Sequence, residues 1–203
     1  MSELSIIGFD GIDGSGKTSI IKRLMSDNAL KEKCIFTNCR NPSSPYVEKM
    51  YSILHTFKEN FDALNLLVED LLFRYLHLPK NKIILSDRTF ISTFVFYKAI
   101  SELSGIWDED LHNRIKSYLQ EYEPRLCVIL LVDVDEARKR ITQIGRPFKV
   151  VEEKPFQNLC AHYFKEVKPS DKILIIDTNA LNESEVYTLV REGLASLDLD
   201  CPQ

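Results

Sequence analysis

The sequence lacks the features of a secreted, membrane-spanning or metal-clustered protein. Its five cysteines are odd in number and show no C-x-x-C spacing, which indicates reduced core or surface residues. No apolar run approaches the roughly 18 residues that a membrane span needs, and no signal peptide precedes the first predicted strand. The four histidines are scattered and suggest no metal cluster. We therefore expect a soluble, cytoplasmic protein without a membrane partner.

A basic excess is also missing, because the formal net charge is -4. Proteins that bind the nucleic-acid backbone usually carry excess positive charge, so we expect no nucleic-acid partner. Small anionic ligands remain possible, since a local cluster of cations can bind them. Neither internal repeats nor linker-like segments interrupt the 203 residues, which predicts a single domain over residues 1–203.

One motif stands out from this ordinary composition. The apolar run Leu4–Phe9 leads into Gly11–Thr18, GIDGSGKT, which fits G-x-x-x-x-G-K-[ST] and precedes a helical pattern. A loop around a phosphate needs inward-pointing backbone N–H groups, and glycine permits the dihedrals and the close approach. Lys17 would neutralise the outer phosphates of a nucleoside triphosphate, and the Thr18 hydroxyl would bind Mg²⁺. The residues assigned to nucleotide binding are Gly11, Asp13, Gly14, Ser15, Gly16, Lys17 and Thr18.

Strand-like and helix-like stretches alternate along the chain. Apolar runs predict five strands, at Leu4–Phe9, Cys34–Thr37, Lys82–Leu85, Leu126–Val132 and Lys172–Ile176. Helical periodicity predicts helices over residues 47–57, 64–78, 90–103, 109–122, 136–144, 152–167 and 183–197, besides the one after the P-loop. The alternation indicates an α/β fold, a five-stranded parallel sheet flanked by helices on both faces. Ligands on such a sheet bind at the carboxyl ends of the strands, so the loops there should share one cleft.

Two aspartates at strand ends compete for the role of metal ligand. Asp133 follows the purer apolar strand, but it also stands where the next helix needs an N-cap, and capping is the interpretation we favour. Asp87 is followed directly by Arg88, and an adjacent acid and base can place one charge toward Mg²⁺ and the other on a phosphate. We therefore assign Asp87, together with Thr18, to Mg²⁺.

Three further cations are candidates for phosphate contacts. Arg40 ends the second strand, where its planar guanidinium could bind two oxygens of a second substrate. Arg146 and Lys149 follow a helix break, which indicates a lid over about residues 143–153 that closes cations over the transferred group. Two earlier basic residues are assigned to a solvated helix face: Arg138 and Lys139.

The helix predicted over residues 64–78 carries two candidates for a nucleobase pocket. Phe73 could stack on a base, although it fits an apolar core equally well. Arg74 lies four residues after Asp70, a spacing that also fits a surface i,i+4 ion pair. Both alternatives stay open on the sequence alone.

Together these residues resemble the thymidylate kinases, a family of P-loop nucleoside monophosphate kinases. Phe9–Thr18 is similar to that family's F-[ED]-G-x-[DE]-G-x-G-K-[ST] loop. Arg40–Pro42 resembles its R-E-P turn, and Asp87-Arg88 with Ser92 resembles its D-R-Y-x-x-S motif. The resemblance runs along nearly the whole chain. It implies that a homodimer transfers the γ-phosphoryl group of ATP, with Mg²⁺, to a deoxynucleoside monophosphate, most typically dTMP.

The resemblance also implies roles for individual residues. Arg40 and Arg88 would hold the acceptor phosphate, and Asp10 would help to fix the acceptor. Gly14 stands where some members carry a basic residue, so a cation of the lid would take over that role. The residues assigned to catalysis are Lys17, Asp10, Arg88, Arg146 and Lys149. The acceptor contacts also include Phe73, Arg74, Ser92 and Tyr97, the last standing where the family usually has a Gln.

Two other functions stay open. Deoxyribonucleoside kinases share the P-loop, the lid and a motif similar to Ser86–Arg88, but their neutral 5′-hydroxyl acceptor needs a general base. That family takes the base from a Glu where this chain has Asn41, and Arg40 beside it favours an acceptor that carries a phosphate. A nucleotide-gated regulatory protein is the third interpretation. A binding-only relative would be expected to lose Lys17 or the Asp87-Arg88 pair, and both are present.

Overall fold

The computed structural model describes residues 4–38, 44–53, 61–145 and 152–197. Within these ranges the strands are β1 (Ser5–Asp10), β2 (Cys34–Thr37), β3 (Ile83–Asp87), β4 (Leu126–Leu131) and β5 (Ile173–Asp177). The helices are α1 (Lys17–Ser26), α2 (Asn28–Lys31), α3 (Val47–Ile53), α4 (Phe61–His77), α5 (Phe90–Ser104), α6 (Glu109–Glu121), α7 (Val134–Gln143), α8 (Lys154–Glu166) and α9 (Glu183–Ala195). None of these helices is long and apolar enough to cross a membrane.

The five strands form one parallel sheet in the order β2-β3-β1-β4-β5. The central strand β1 carries Gly8, which pairs in register with Ser86 of β3 on one side and with Cys127 of β4 on the other. The predicted five-stranded parallel sheet is confirmed, and each strand lies within two residues of its predicted bounds. Because β1 is central, the loop that follows it lies between the loops that follow β3 and β4.

Apolar side chains cover both faces of the sheet. Successive residues of β1 enter different halves of the core, because side chains alternate across a strand. Ile6 belongs to a cluster with residues of α4, α5 and α8, whereas Ile7 and Phe9 belong to a cluster with residues of α1 and α9. The helices therefore lie on both faces, as the alternating pattern predicts.

Three of the described helices, α5, α6 and α9, begin at a residue whose side chain caps the helix. The Thr89 side chain accepts a hydrogen bond from the Ile91 N–H (3.1 Å) and begins α5. Gly105, with φ 69°, ends that helix in the left-handed conformation that glycine adopts readily. The structure adds the short helix α2, which the sequence pattern did not predict. The helix predicted over residues 47–57 is described through Ile53, and most of the predicted lid lies outside the described residues.

Candidate active site

The loop after β1 has a backbone that requires glycine. Gly11, Gly14 and Gly16 have φ values of 136°, 85° and 99°, which residues with a side chain rarely adopt. A Cβ at Gly11 would overlap the carbonyl oxygen of Leu130, and one at Gly14 would lie 2.5 Å from the carbonyl oxygen of Ala137. The loop is thus packed closely against β4 and α7. Because the N-terminus of α1 follows at once, this arrangement suits a bound phosphate.

The Lys17 ammonium lies inside this loop. Its Nζ donates to the carbonyl oxygens of Gly11 (3.1 Å) and Ile12 (2.8 Å) and to the hydroxyl oxygen of Ser15 (3.3 Å). Only 5% of Lys17 is exposed. Burial, and next the nearby Arg88 guanidinium, lower the pKa of Lys17 from 10.5 to about 8. A buried cation beside a second cation is stabilised by an anion, so the loop favours a phosphate ligand.

Thr18 and Asp87 meet at the mouth of the loop. The Thr18 hydroxyl donates to Asp87 Oδ2 over 2.6 Å, which joins the first turn of α1 to the end of β3. Hydroxyl and carboxylate oxygens are the kind of ligand that Mg²⁺ takes in proteins. The two predicted metal ligands are therefore brought together, and their donor atoms fit Mg²⁺.

Asp133, the competing aspartate, lies apart from these groups. It occupies the N-cap position of α7, as predicted, but its side chain makes no capping hydrogen bond. The carboxylate is 64% exposed and pairs with Lys165 at 3.4 Å, while the backbone N–H of Asp133 donates to Asn179 Oδ1. The cap position is confirmed, whereas the side-chain cap that we expected there is absent.

Arg88 turns back toward the P-loop. Its backbone has φ 79°, the left-handed region, in which Arg88 stands alone among the described non-glycine residues. The guanidinium donates from Nη1 to the carbonyl oxygen of Gly11 (2.9 Å) and to the Ser92 hydroxyl (3.3 Å), and it forms an ion pair with Asp13. It also lies over the ring of Phe96, 4.8 Å from the centroid. Arg88, Asp13 and Ser92, three predicted site residues, are thus in direct contact.

Asp10 is held inside the protein, directly behind this arginine. It is completely buried, and its carboxylate accepts hydrogen bonds from Thr89, from Ser92 and from the Cys127 thiol. Nothing in the sequence indicated Thr89 or Cys127, because both are separated from Asp10 by more than 70 residues.

Two of the predicted acceptor contacts are aromatic. Tyr97 on α5 is fully buried, and its hydroxyl donates to the carbonyl oxygen of Asp108 (2.8 Å). Phe73 on α4 stacks on His77, with ring centroids 4.0 Å apart, and contacts the Tyr46 ring edge-on at 6.3 Å. Phe73 is half-buried, so it does not lie inside the apolar core.

Arg74 and Asp70 form the predicted i,i+4 pair, with Nε and Oδ2 3.0 Å apart. The pair is not at the surface, however, because the two side chains are only 1% and 0% exposed. Arg74 Nη1 and Asp70 Oδ1 have no hydrogen-bond partner in the part of the chain that the structure describes. The alternative of a surface ion pair is therefore wrong. The pair is buried, and two of its polar atoms lack a hydrogen-bond partner among the described residues.

Three predicted cations, Arg40, Arg146 and Lys149, lie outside the described residues. Of the two residues expected on a solvated face, Lys139 is 64% exposed. Arg138 is instead half-buried, and its Nη1 donates to the carbonyl oxygen of Glu152 over 2.6 Å. Arg138 therefore ties α7 to the last part of the predicted lid, a contact that helical spacing does not reveal.

Comparison with known proteins agrees with this geometry. The family model described as Thymidylate kinase matches residues 9–188. The thymidylate kinase of Mycoplasmoides gallisepticum is 30% identical over 149 residues, which cover 68% of each chain. The structure of the thymidylate kinase from Candida albicans shares the fold, with a TM-score of 0.74 at 20% identity over 96% of this chain and 92% of that one. The deoxyadenosine kinase from M. mycoides also shares it, with a TM-score of 0.69 at 19% identity over 94% of this chain and 100% of that one. Because the family match includes the P-loop, the strand-end pair and most of the remaining chain, the protein belongs to the thymidylate kinase family.

Proposed function

We propose that the protein transfers the γ-phosphoryl group of ATP to the phosphate of a deoxynucleoside monophosphate, and that dTMP is its preferred acceptor. One observation carries the proposal beyond family membership. Lys17 Nζ and Arg88 Nη1 both donate to the carbonyl oxygen of Gly11, at 3.1 Å and 2.9 Å. Two cations that converge on one point of a phosphate-binding loop suit transfer between two phosphates, which needs positioning and charge neutralisation.

The positions of the groups support the following proposed roles. The glycine loop and Lys17 hold the phosphates of ATP, and Arg88 with Ser92 holds the phosphate of the acceptor. Thr18 and Asp87 would hold Mg²⁺, which when bound neutralises charge on the phosphate oxygens. Asp13 pairs with Arg88 and thereby orients its guanidinium toward the P-loop.

Several residues complete the proposal around this centre. We propose that Arg40 adds a second contact to the acceptor phosphate and that Arg146 or Lys149 closes from the lid over the transferred group. The neighbourhood of the acceptor base is assigned to Phe73, Arg74 and Tyr97. We further propose that the enzyme acts in the cytoplasm. We also propose that it is a homodimer, as the resemblance implies, and sedimentation of the purified chain tests that assembly.

The decisive experiment measures ADP release from ATP and Mg²⁺ with thymidine, deoxyadenosine, deoxycytidine, dTMP, dUMP, dCMP and dGMP offered separately. We expect turnover with monophosphates and the highest kcat/KM with dTMP. ADP release with nucleosides alone would instead establish a deoxyribonucleoside kinase. The absence of ADP release with every one of these acceptors would support a regulatory protein.

The Arg88→Met variant sharpens this assay. If Arg88 holds the acceptor phosphate, the KM for the monophosphate rises strongly, while the KM for ATP changes little. An unaltered acceptor KM would remove Arg88 from the acceptor site. Lys139→Met is the matched control, because it removes the same charge from an exposed position on α7.

A further inference from the structure

Asp10 gathers five hydrogen bonds at a completely buried position. Its Oδ1 accepts from the backbone N–H groups of Thr89 (3.0 Å) and Ser92 (3.2 Å) and from the Ser92 hydroxyl. Its Oδ2 accepts from the Thr89 hydroxyl (2.7 Å) and the Cys127 thiol (3.1 Å). Hydrogen bonds to a carboxylate are stronger than those between neutral groups. We call these four residues, Asp10, Thr89, Ser92 and Cys127, the Asp10 cluster.

Arg88 lies next to residues that this cluster holds. Its φ of 79° belongs to a region that side chains disfavour. The Arg88 N–H donates to the carbonyl oxygen of Phe9 (2.9 Å), and the Arg88 carbonyl oxygen accepts from the Ser86 hydroxyl (2.6 Å). The next N–H along the chain, that of Thr89, is the one that donates to Asp10. A strained backbone conformation persists only where its surroundings over-determine it, and here three neighbouring groups do so.

We propose that Asp10 and Cys127 are positioning residues, which contact no substrate and act by holding Thr89 and Ser92 so that the Arg88 guanidinium stays directed at the P-loop. The proposal rests on the proposed function, because that function gives Arg88 its role at the acceptor. Burial, and next the adjacent Asp10 carboxylate, raise the pKa of the Cys127 thiol. The thiol therefore stays protonated and serves as a hydrogen-bond donor.

Gly8 supplies the space that the cluster needs. It lies in the middle of β1, between Ser86 of β3 and Cys127 of β4, and its φ is not in the left-handed region. A Cβ at this position would overlap the Thr89 methyl group and would lie 3.6 Å from both Asp10 Oδ2 and Cys127 Sγ. Glycine is required at this position for space, because Thr89 must approach β1 closely to reach Asp10.

This close contact provides the first test. Gly8→Ala should displace Thr89 and lower kcat/KM for the acceptor by up to about 100-fold, as for a misplaced binding group, with the KM for ATP little changed. Adding Thr89→Ser removes the obstructing methyl group but keeps both donors to Asp10. The double variant should therefore recover most of the lost kcat/KM. The proposal would be overturned if the double variant had no higher kcat/KM for the acceptor than Gly8→Ala. It would also be overturned if Gly8→Ala raised the KM for ATP as much as the KM for the acceptor.

A matched control separates positioning from a general loss of stability. Gly193→Ala also adds one carbon in a close space, 2.6 Å from a methyl group of Leu174, but it lies on α9, away from the cluster. We expect Gly193→Ala to lower the melting temperature without changing the ratio of acceptor KM to ATP KM. If this variant raised the acceptor KM as much as Gly8→Ala does, the effect would be one of stability and the proposal would fail.

A second test substitutes Asp10 itself and leaves Gly8 unchanged. Asp10→Asn should weaken acceptor binding, measured by calorimetry, by about 10- to 100-fold in the wild-type background. In the Arg88→Met background it should change the acceptor Kd by less than about twofold, because a residue that acts only through Arg88 then has nothing to position. Full additivity of the two substitutions would overturn the proposal. Cys127→Val should weaken acceptor binding more than Cys127→Ser, because serine keeps a hydrogen-bond donor. Equal effects of the two substitutions would show that the thiol does not act as a positioning donor.

Each measurement uses whichever acceptor the wild-type chain phosphorylates. Wild-type activity on a nucleoside instead of a monophosphate would refute the proposed function, whereas the coupling of Asp10 to Arg88 could still be measured with that nucleoside. Wild-type activity on dTMP with additive Asp10 and Arg88 substitutions would refute only the positioning role. The two failures are therefore distinguishable.

Discussion

The Lys17 ammonium predicts how the stability of the free protein depends on pH. Its Nζ is enclosed by the carbonyl oxygens of Gly11 and Ile12, and its pKa is lowered from 10.5 to about 8, first by burial and next by Arg88. Asp87 and Asp13 oppose this shift but do not cancel it. The folded chain therefore holds a proton less tightly at this position than the unfolded chain does.

The sign of the effect follows from proton linkage. Between pH 8 and pH 10.5 the unfolded chain keeps the Lys17 proton while the folded chain has lost it. The unfolded state then binds more protons, so the free energy of unfolding rises with pH across this window, by about 3 kcal/mol for a shift of this size. Below pH 8 both states are protonated, and the full electrostatic cost of the buried ammonium is present.

The Lys17→Met variant separates the contribution of Lys17 to the pH dependence of stability from the contributions of other groups that titrate above neutral pH. Burial raises the pKa of the Cys127 and Cys160 thiols, and these groups act in the opposite direction. Urea unfolding of wild type and Lys17→Met, measured from neutral pH upward, should give a difference in stability that grows by about 3 kcal/mol in favour of wild type. Lys22→Met removes a charge from an exposed position on α1 and should show no such growth. A difference for Lys17→Met that stays flat with pH would refute the reasoning.

The same linkage gives ATP binding a proton signature. The phosphates should raise the pKa of Lys17, so wild type should take up close to one proton on binding ATP within this pH window. Calorimetry in two buffers with different ionisation enthalpies measures that uptake. Lys17→Met should bind ATP more weakly and without this uptake. Equal proton uptake by both proteins would show that another group titrates, and would separate Lys17 from the phosphates.

Two further predictions test the metal ligands and the buried ion pair. Asp87→Asn should lower the apparent affinity for Mg²⁺ by at least about tenfold in steady-state assays. Asp133→Asn, at an exposed strand end, should leave that affinity unchanged. A larger loss of Mg²⁺ affinity in Asp133→Asn than in Asp87→Asn would make Asp133 the metal ligand. Arg74→Met should destabilise the chain by about 3–5 kcal/mol in urea unfolding, since it leaves Asp70 buried and unpaired, and adding Asp70→Leu should recover much of the loss. If Arg74 also contacts the acceptor base, the double variant should regain stability while its KM for the acceptor stays above the wild-type value. Recovery of both the stability and the acceptor KM would show that the pair is purely structural.

The elements that could be predicted from the sequence are those with a local signal. Apolar runs such as Leu126–Leu131 mark strands that are covered on both faces, and the spacing from Gly11 to Thr18 specifies a phosphate loop in front of a helix. The short helix α2 spans only Asn28–Lys31 and has too few residues to show a period. A strand of four residues such as β2 could therefore be predicted from its apolar run, whereas a helix of the same length could not.

Contacts between distant segments could not be predicted in the same way. The resemblance assigns Asp10 to the acceptor, but the five hydrogen bonds of Asp10 depend on the N-cap residue Thr89 and on Ser92 at the start of α5, and on Cys127 of β4. Arg138 resembled a surface residue by helical spacing, yet its partner lies 14 residues further along the chain. The contacts of Asp10 depend on the order of strands in the sheet, which a single sequence does not reveal.

The pair Asp87-Arg88 shows why the strand order matters for the chemistry. Consecutive residues at a strand end normally point to opposite faces, but here both side chains must reach the P-loop. Asp87 keeps the extended conformation and meets Thr18, while the left-handed backbone of Arg88 directs its guanidinium to the carbonyl oxygen of Gly11. This division requires β3 beside β1, so that Phe9 can bind the Arg88 N–H, and β4 on the other side of β1, so that Cys127 can reach the Asp10 cluster. The strained arginine is therefore a product of three adjacent strands, and a change that loosens their packing should impair the acceptor site before it impairs the P-loop.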